Sequence, residues 1–265
     1  MLRSRDNYRH YNNNMKYKPC DNPLVLKKFV QNGGYGNLSK AIREGDIDTV
    51  VRLLVDTDIN SIRPDLYNLT PLIYASSIGN LEVVQWLIDH GANVNTPTVT
   101  GETALMLAYK YVGILEYLLN HGANVDDRDS TGRTPLMYAV SRGGVSSVFS
   151  RWRKCYQPRW PGNIECAQLL LSRGADIHAI DNNGKPVLMY AISTDYIEAV
   201  NLLIDVGVDV NVGDRDRKTP LMYAIYNDMA DDVCFKYRDE KIYRSNFSNI
   251  VRLLIDQGDV YKRQQ

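Results

Sequence analysis

The stretch Thr70-Pro71-Leu72 decides the fold, because it recurs as Thr134-Pro135-Leu136 and as Thr219-Pro220-Leu221. Degenerate copies, Thr103-Ala104-Leu105 and Pro186-Val187-Leu188, fall between them. After two further residues each copy is followed by an alanine: Ala75, Ala108, Ala139, Ala191 and Ala224. The intervals from Thr70 to Thr103 and from Pro186 to Thr219 are both 33 residues. A fixed period near this length indicates a repeat architecture.

Each copy lies just after a predicted turn tip. Asn68 occupies the position that Gly101, Gly132 and Gly184 occupy in later copies. That position favours a positive φ, which glycine adopts freely and asparagine tolerates. The sequence therefore predicts a turn of the same geometry in successive repeats.

Two helices are predicted to follow the turn in residues 65–97. Thr70 is a predicted N-cap, and Pro71 fits the first helical turn, where its missing N–H costs nothing. The first helix extends to about Ile78 and the second covers roughly residues 81–90. A glycine after an apolar pair is predicted to end the second helix in each repeat: Gly91, Gly122, Gly174, Gly207 and Gly258.

These residues resemble the ankyrin repeat: Thr-Pro-Leu, a small residue, a glycine, an apolar pair, Gly-Ala and then Val-Asn. The resemblance covers about residues 37–260 and implies an all-α fold, a solenoid of stacked helix-turn-helix units joined by hairpin-like loops. Six units are predicted, numbered 1 to 6 below: 37–64, 65–97, 98–128, 129–180, 181–213 and 214–260. Residues 1–36 are predicted to be a disordered basic arm, and 261–265 a tail at which a longer reading frame is truncated.

The sequence departs from the family pattern after Thr-Pro-Leu. Where the family usually has histidine, this chain has Ile73, Met137, Met189 and Met222, and the next position is Tyr74, Tyr138, Tyr190 and Tyr223. We expect these side chains to fill packing sites in the first helices, since methionine adapts to irregular gaps. A tyrosine stripe that binds a ligand is the alternative.

Units 4 and 6 carry insertions between their two helices, at about 146–163 and 228–246. The first insertion places Trp152, Tyr156 and Trp160 beside arginines, a composition typical of interface hot spots. It is therefore a possible second contact site, and self-association through it is one hypothesis. The alternative is that these aromatic residues pack on one another or extend the first helix.

Composition and charge exclude several classes of function. The chain has 31 basic and 31 acidic residues, but residues 1–36 hold seven Lys and Arg against two Asp, so the remainder is acidic. An acidic body disfavours nucleic acid as a partner. No apolar stretch is long enough to span a membrane. Four cysteines without a framework spacing, Cys20, Cys155, Cys166 and Cys234, favour a reducing compartment and hence the cytoplasm.

No motif predicts catalysis, a cofactor, a metal or a small-molecule substrate. The four histidines, His10, His90, His121 and His178, have no metal-ligand spacing to one another or to a cysteine. Glu82, Glu116 and Glu198 recur on the second helices, which predicts solvated positions rather than a catalytic pair.

What remains is recognition of a partner protein by a non-enzymatic chain. The resemblance implies a concave face built from turn tips and first helices, with these contact residues: Tyr67, Leu69, Ser77, Ile78, Glu102, Arg133, Arg142, Arg173, Lys185, Arg215 and Lys218, flanked by His90 and His121. The basic residues of the later units predict an acidic or mixed partner segment, unless they are ordinary surface charges.

Two further expectations concern the setting of the chain. Its tyrosine, asparagine, isoleucine and methionine usage and its irregular units resemble ankyrin proteins of large DNA viruses or intracellular bacteria, which act in the host cytoplasm. The alternative function is the substrate-recognition arm of a larger enzyme or ubiquitin-ligase adaptor whose effector domain lies beyond Gln265.

Overall fold

The structure is a computed structural model that describes residues 37–141, 163–226 and 247–263, with side chains of residues 248–258 in the last range. Regular structure in these ranges is helical, apart from isolated antiparallel bridges between Arg63 and Leu69 and between Ile180 and Pro186. The all-α prediction is therefore confirmed.

The helices occur in pairs that follow the predicted repeats. They are α1 (Asn37–Glu44), α2 (Ile47–Leu54), α3 (Pro71–Ile78), α4 (Leu81–Asp89), α5 (Ala104–Leu107), α6 (Val112–Asn120), α7 (Pro135–Ala139), α8 (Ile164–Ser172), α9 (Val187–Ser193), α10 (Ile197–Asp205) and α11 (Phe247–Arg263). Residues 220–226 are also helical, and a short 3₁₀ helix covers Pro64–Leu66.

Like helices stack on like helices along the chain. First helices α3, α5, α7 and α9 contact one another in sequence, and so do second helices α4, α6, α8, α10 and α11. The repeated alanines lie where helices approach closely, and Ala75, Ala108, Ala139, Ala191 and Ala224 are each completely buried. This stacking gives a continuous core that no single unit could form alone.

The residues after Thr-Pro-Leu pack as predicted in the interior units. Ile73, Met137 and Met189 are at most 1% exposed, whereas Met222 is 56% exposed. The expectation for Met222 is therefore wrong. The helices that carry the three buried side chains each contact a neighbouring first helix, whereas the described residues contain no first helix beyond 220–226.

Helix ends match the predictions in some units and not in others. Thr70 accepts a hydrogen bond from the Ile73 N–H at 3.2 Å and so caps α3. Gly91, Gly122, Gly174 and Gly207 end their helices with positive φ. The same prediction is wrong for Gly258, because α11 continues through it to Arg263.

Candidate partner-binding surface

The turn tips of units 2 to 6 form one row, here called the tip row. It consists of the residue pairs 66–67, 99–100, 130–131, 182–183 and 215–216. Backbone hydrogen bonds join neighbouring tips: Ser130 N–H to Thr100 O at 2.9 Å, Asn182 N–H to Thr131 O at 2.9 Å, and Arg215 N–H to Asn183 O at 3.0 Å. The backbone of the row is thus tied from unit 3 to unit 6.

Glycine at the tips permits this close approach. Gly132 has φ +82°, and a Cβ there would lie 2.8 Å from the backbone nitrogen of Asn182. The equivalent Cβ at Gly101 would lie 2.8 Å from the Ser130 nitrogen. In unit 6 the corresponding residue is Arg217, which has a φ of 62°. Positive φ and close contact together explain glycine in the stacked units.

A carboxylate braces each tip from unit 4 onward. Asp129 Oδ1 accepts from the Thr131 N–H at 2.8 Å and the Arg133 N–H at 3.0 Å, while its Oδ2 accepts from the Tyr138 hydroxyl at 2.7 Å. In unit 5, Asp181 holds its tip in the same way, with Tyr190 as its phenol donor at 2.7 Å. This bracing fixes the shape of the tip against the first helix.

Unit 6 repeats the arrangement in a more open position, with the Tyr223 hydroxyl 3.1 Å from Asp214 Oδ2. The tyrosines of units 4 to 6 therefore pack on the core and bind the tips through their hydroxyls. The sequence pattern predicts their packing but not these hydrogen bonds. The constant spacing of nine residues from Asp to Tyr in units 4, 5 and 6 could have revealed them.

The hydrogen bonds determine the ionisation of the Asp129 carboxyl and the Tyr138 phenol. Burial by itself would raise the pKa of the Asp129 carboxyl, but donors from Arg133, Thr131 and Tyr138 outweigh it and lower the pKa. Burial raises the pKa of the Tyr138 phenol well above its usual value, and the neighbouring Glu102 and Asp129 carboxylates add to this. The pair is thus a charged carboxylate and a neutral phenol.

Two of the predicted basic contact residues make their contacts within the protein. Arg133 pairs with Asp129 at 2.7 Å, and its guanidinium lies 5.1 Å from the centre of the Tyr138 ring. Lys185 Nζ donates to Ser193 Oγ at 2.8 Å and lies 4.5 Å from the Tyr190 ring. Burial lowers the pKa of Lys185, against the opposing charges of nearby aspartates. Both cations remain half-buried rather than presented to solvent.

The structure removes two residues from the predicted contact surface. Leu69 is 1% exposed and Glu102 is fully buried. Leu69 forms a backbone bridge with Arg63. The Glu102 carboxylate accepts from the Thr100 hydroxyl at 2.9 Å and lies 3.1 Å from the Tyr138 hydroxyl. Neither side chain is available to a partner, so both expectations are corrected.

Three further predicted residues lie at the ends of the second helices, away from the tip row. His90 and His121 are exposed, and each ring Nδ1 donates to the carbonyl four residues earlier, at 2.7 Å and 2.8 Å. Their rings pack on Trp86 and Tyr117. Arg173 holds the same position in unit 4 and binds Asn120 at 2.9 Å on the neighbouring second helix, which corrects its expected place on the face of first helices.

The remaining predicted residues divide by position. Tyr67, Arg215 and Lys218 are exposed at the tips, and Ser77 and Ile78 are half-buried near the end of α3. Arg142 and the predicted second site, Trp152, Tyr156 and Trp160, lie outside the described residues. The exposed tip residues therefore form the best-defined candidate surface.

The described residues offer little for chemistry. Within these ranges no group of three or more His, Cys, Asp or Glu could hold a metal ion. Cys166 is buried, which raises the pKa of its thiol to about 12 and keeps it protonated. None of the helices described is long and apolar enough to cross a membrane.

Comparison with known proteins identifies the family. The model for ankyrin repeats (three copies) matches residues 20–98, 38–129, 97–149 and 159–236. The chain is 39% identical over 87 residues, 31% of its length, to alpha-latrotoxin-Lh1a of Latrodectus hasselti, and covers 6% of that protein.

Mammalian relatives are matched over a shorter stretch. Over 56 residues, 21% of its length, the chain is 45% identical to ankyrin repeat, SAM and basic leucine zipper domain-containing protein 1 of Mus musculus. It is 46% identical to the same protein of Microcebus murinus over a stretch of that length. The chain covers 12% and 11% of these two proteins. Because the family model matches most of its residues, the chain belongs to the ankyrin-repeat family.

Proposed function

We propose that the chain is a non-enzymatic protein–protein interaction module that holds a partner protein along the tip row and the adjoining first helices. Ankyrin repeats are generally modules of this kind. The face expected to be concave in the family is the one that carries these tips.

One observation supports this proposal above the others: the backbone of the tip row is hydrogen-bonded from tip to tip, while its side chains are exposed. The tips of units 3 to 6 are joined by backbone hydrogen bonds of 2.9 to 3.0 Å. Along the whole row, from unit 2 to unit 6, the exposed side chains change from Tyr67 and Val99 through Asn182 and Asn183 to Arg215. A rigid row loses little conformational entropy on binding, while varied side chains provide specificity.

The charge of the row refines the expected partner. Arg133 and Lys185 are engaged within the protein. Among the described tips of units 4 to 6, only the tip of unit 6 therefore presents exposed basic side chains, including Arg215 and Lys218, to an acidic segment. Lys218 Nζ already lies 3.4 Å from Asp216. We therefore assign any acidic contact in the later units to the tip of unit 6.

The test is affinity capture from cell lysate followed by mass spectrometry, with three forms of the full chain. Wild type is compared with the double variant Arg215→Glu/Lys218→Glu and with Arg252→Glu, a matched reversal of charge on the exposed side of the second helix of unit 6. A partner kept by wild type and by the control but lost by the double variant supports contact through the tips. A partner that both variants retain argues against an acidic contact there.

The second candidate function is recognition on behalf of a larger protein. It is favoured by the relatives, because the chain spans only 6% to 12% of their length and the mammalian relative is named for additional SAM and leucine zipper domains. An in-frame coding sequence that continues past Gln265 into a folded effector domain would support it, and a stop codon directly after Gln265 would oppose it.

A further inference from the structure

The tip of unit 2 differs in backbone conformation from every later tip. It begins with the 3₁₀ helix Pro64–Leu66 and continues through two successive residues with positive φ, Tyr67 at 59° and Asn68 at 61°. Asparagine tolerates this conformation, but a bulky aromatic residue there is strained. No tip-to-tip backbone hydrogen bond from Val99 to Tyr67 occurs among the described residues. Strain of this kind concentrates at functional sites.

The strained residue presents an aromatic ring to solvent. Tyr67 is 52% exposed, and its ring stacks on Tyr74 with centroids 6.0 Å apart. On the next tip, Val99 is 65% exposed. Large apolar side chains at neighbouring tips are unusual for a solvated turn, and aromatic residues of this type anchor protein interfaces.

A cation lies beside this aromatic pair. Arg43 Nη2 donates to the Tyr74 hydroxyl at 3.0 Å, in place of the Asp–Tyr hydrogen bond of units 4 to 6. The corresponding aspartate, Asp65, pairs instead with Arg63 at 3.1 Å. Arg43 is exposed, and none of the ion pairs among the described residues includes it. Its guanidinium has five N–H donors, of which the phenol oxygen takes one.

We infer that the exposed side chains of Arg43, Tyr67 and Val99, supported from below by the buried Tyr74, form a docking site for a partner-protein segment in which an apolar side chain lies next to an aspartate or glutamate. The apolar side chain packs on Tyr67 and Val99, and the carboxylate accepts from Arg43. This inference rests on the proposed function and names the chemistry of the partner at units 1 to 3. It differs from the sequence prediction, which placed the charged contact in the later units.

The charge pattern favours this occupant over a basic segment. Among the three exposed side chains of the site, the one ionic group is a cation, so a partner lysine or arginine would be repelled. An apolar segment without an acid would leave the guanidinium unpaired at the edge of the contact. A segment that combines both groups matches the site as it stands.

The test starts from a random 12-residue peptide library displayed on phage and selected against the full 265-residue chain. Enriched sequences are synthesised with a fluorescent label, and their affinities are measured by fluorescence anisotropy. The key variants are Tyr67→Asn, which removes the ring but tolerates positive φ, and Arg43→Gln. The matched controls are Ile180→Asn, at another exposed apolar position, and Arg52→Gln on α2.

We expect enriched peptides to pair an aromatic or aliphatic residue with a neighbouring acid. Tyr67→Asn should weaken their binding by about tenfold or more without lowering the thermal unfolding midpoint, because asparagine tolerates the positive φ that strains tyrosine. Neither control should alter binding. Replacing the peptide acid by its amide should weaken binding to wild type but not to Arg43→Gln, because the two changes remove the same contact.

The inference is overturned if no such sequence is enriched, or if enriched peptides bind Tyr67→Asn as tightly as wild type. Peptides whose binding is lost in the Arg215→Glu/Lys218→Glu variant but is unchanged in Tyr67→Asn would overturn the inference and still support the proposed function. Binding that is insensitive to both sets of changes would contradict both. Dimers of the chain that dissociate on Tyr67→Asn would assign the site to a second copy instead.

Discussion

The Tyr138 hydroxyl donates to the Asp129 carboxylate over 2.7 Å, and this buried contact joins a first helix to the turn tip that precedes it. Glu102 of the preceding unit approaches the same hydroxyl at 3.1 Å. One phenol thus connects the tips of units 3 and 4. The shape of the candidate binding surface depends on a hydrogen bond that lies beneath it.

Removing this hydroxyl should destabilise the fold. Tyr138→Phe removes the phenol that donates to the buried Asp129 carboxylate, so we expect the free energy of unfolding to fall by about 1–3 kcal/mol. Tyr223→Phe is the matched control, because Tyr223 is half-buried and water can replace its bond to Asp214. Urea denaturation followed by circular dichroism measures both. Equal losses in the two variants would contradict a special role for the buried contact.

Stability should depend on pH through Asp129. Its pKa is lowered in the folded protein, so the unfolded chain takes up the proton first on acidification. The contribution of Asp129 is therefore complete above the unfolded value of about 3.9 and is lost as the pH falls from there through the folded value. Urea unfolding between pH 7 and pH 3 should show a steeper acid loss in wild type than in Asp129→Asn. The exposed Asp205→Asn serves as the control, and its curve should run parallel to that of wild type.

The tip glycines should be more sensitive than the helix-ending glycines. Gly91 and Gly132 both have positive φ, but a Cβ at Gly91 meets nothing within 4 Å, whereas one at Gly132 lies 2.5 Å from the Asn182 side chain. We expect Gly91→Ala to cost about 1 kcal/mol for backbone strain alone. Gly132→Ala should cost about 2 kcal/mol or more, because contact with the neighbouring tip is added. Similar unfolding midpoints for the two variants would show that the tips are not closely stacked.

The sequence predicted the fold well because the fold depends on repeated local features. Thr70 at an N-cap, Gly91 after a helix and Ala75 between helices each have a physical reason that can be read from the chain. The pattern also placed Met137 in the core. Such positions are determined by backbone geometry and by burial, which recur in every unit.

The candidate site was less predictable, because the direction of a side chain depends on its neighbours in space. Glu102 and Arg133 occupy equivalent positions in units 3 and 4, yet one is buried and the other is half-buried on Asp129. Nothing in the local sequence around Glu102 predicts that Tyr138 of the next unit would contact it. The sequence does not predict the positive φ of Tyr67 either, since turn patterns favour glycine or asparagine at such a position.

The Thr-Pro-Leu motif itself should contribute differently from unit to unit. Thr70 caps α3, whereas the buried hydroxyl of Thr134 has no hydrogen-bond partner among the described residues. Thr70→Val should therefore cost about 1 kcal/mol, as the loss of an N-cap usually does. Thr134→Val should be neutral or slightly stabilising, because a methyl group replaces an unsatisfied buried hydroxyl of the same shape. Chemical denaturation of the two variants decides the question, and a loss at Thr134 as large as that at Thr70 would mean that Thr134 also caps its helix in solution.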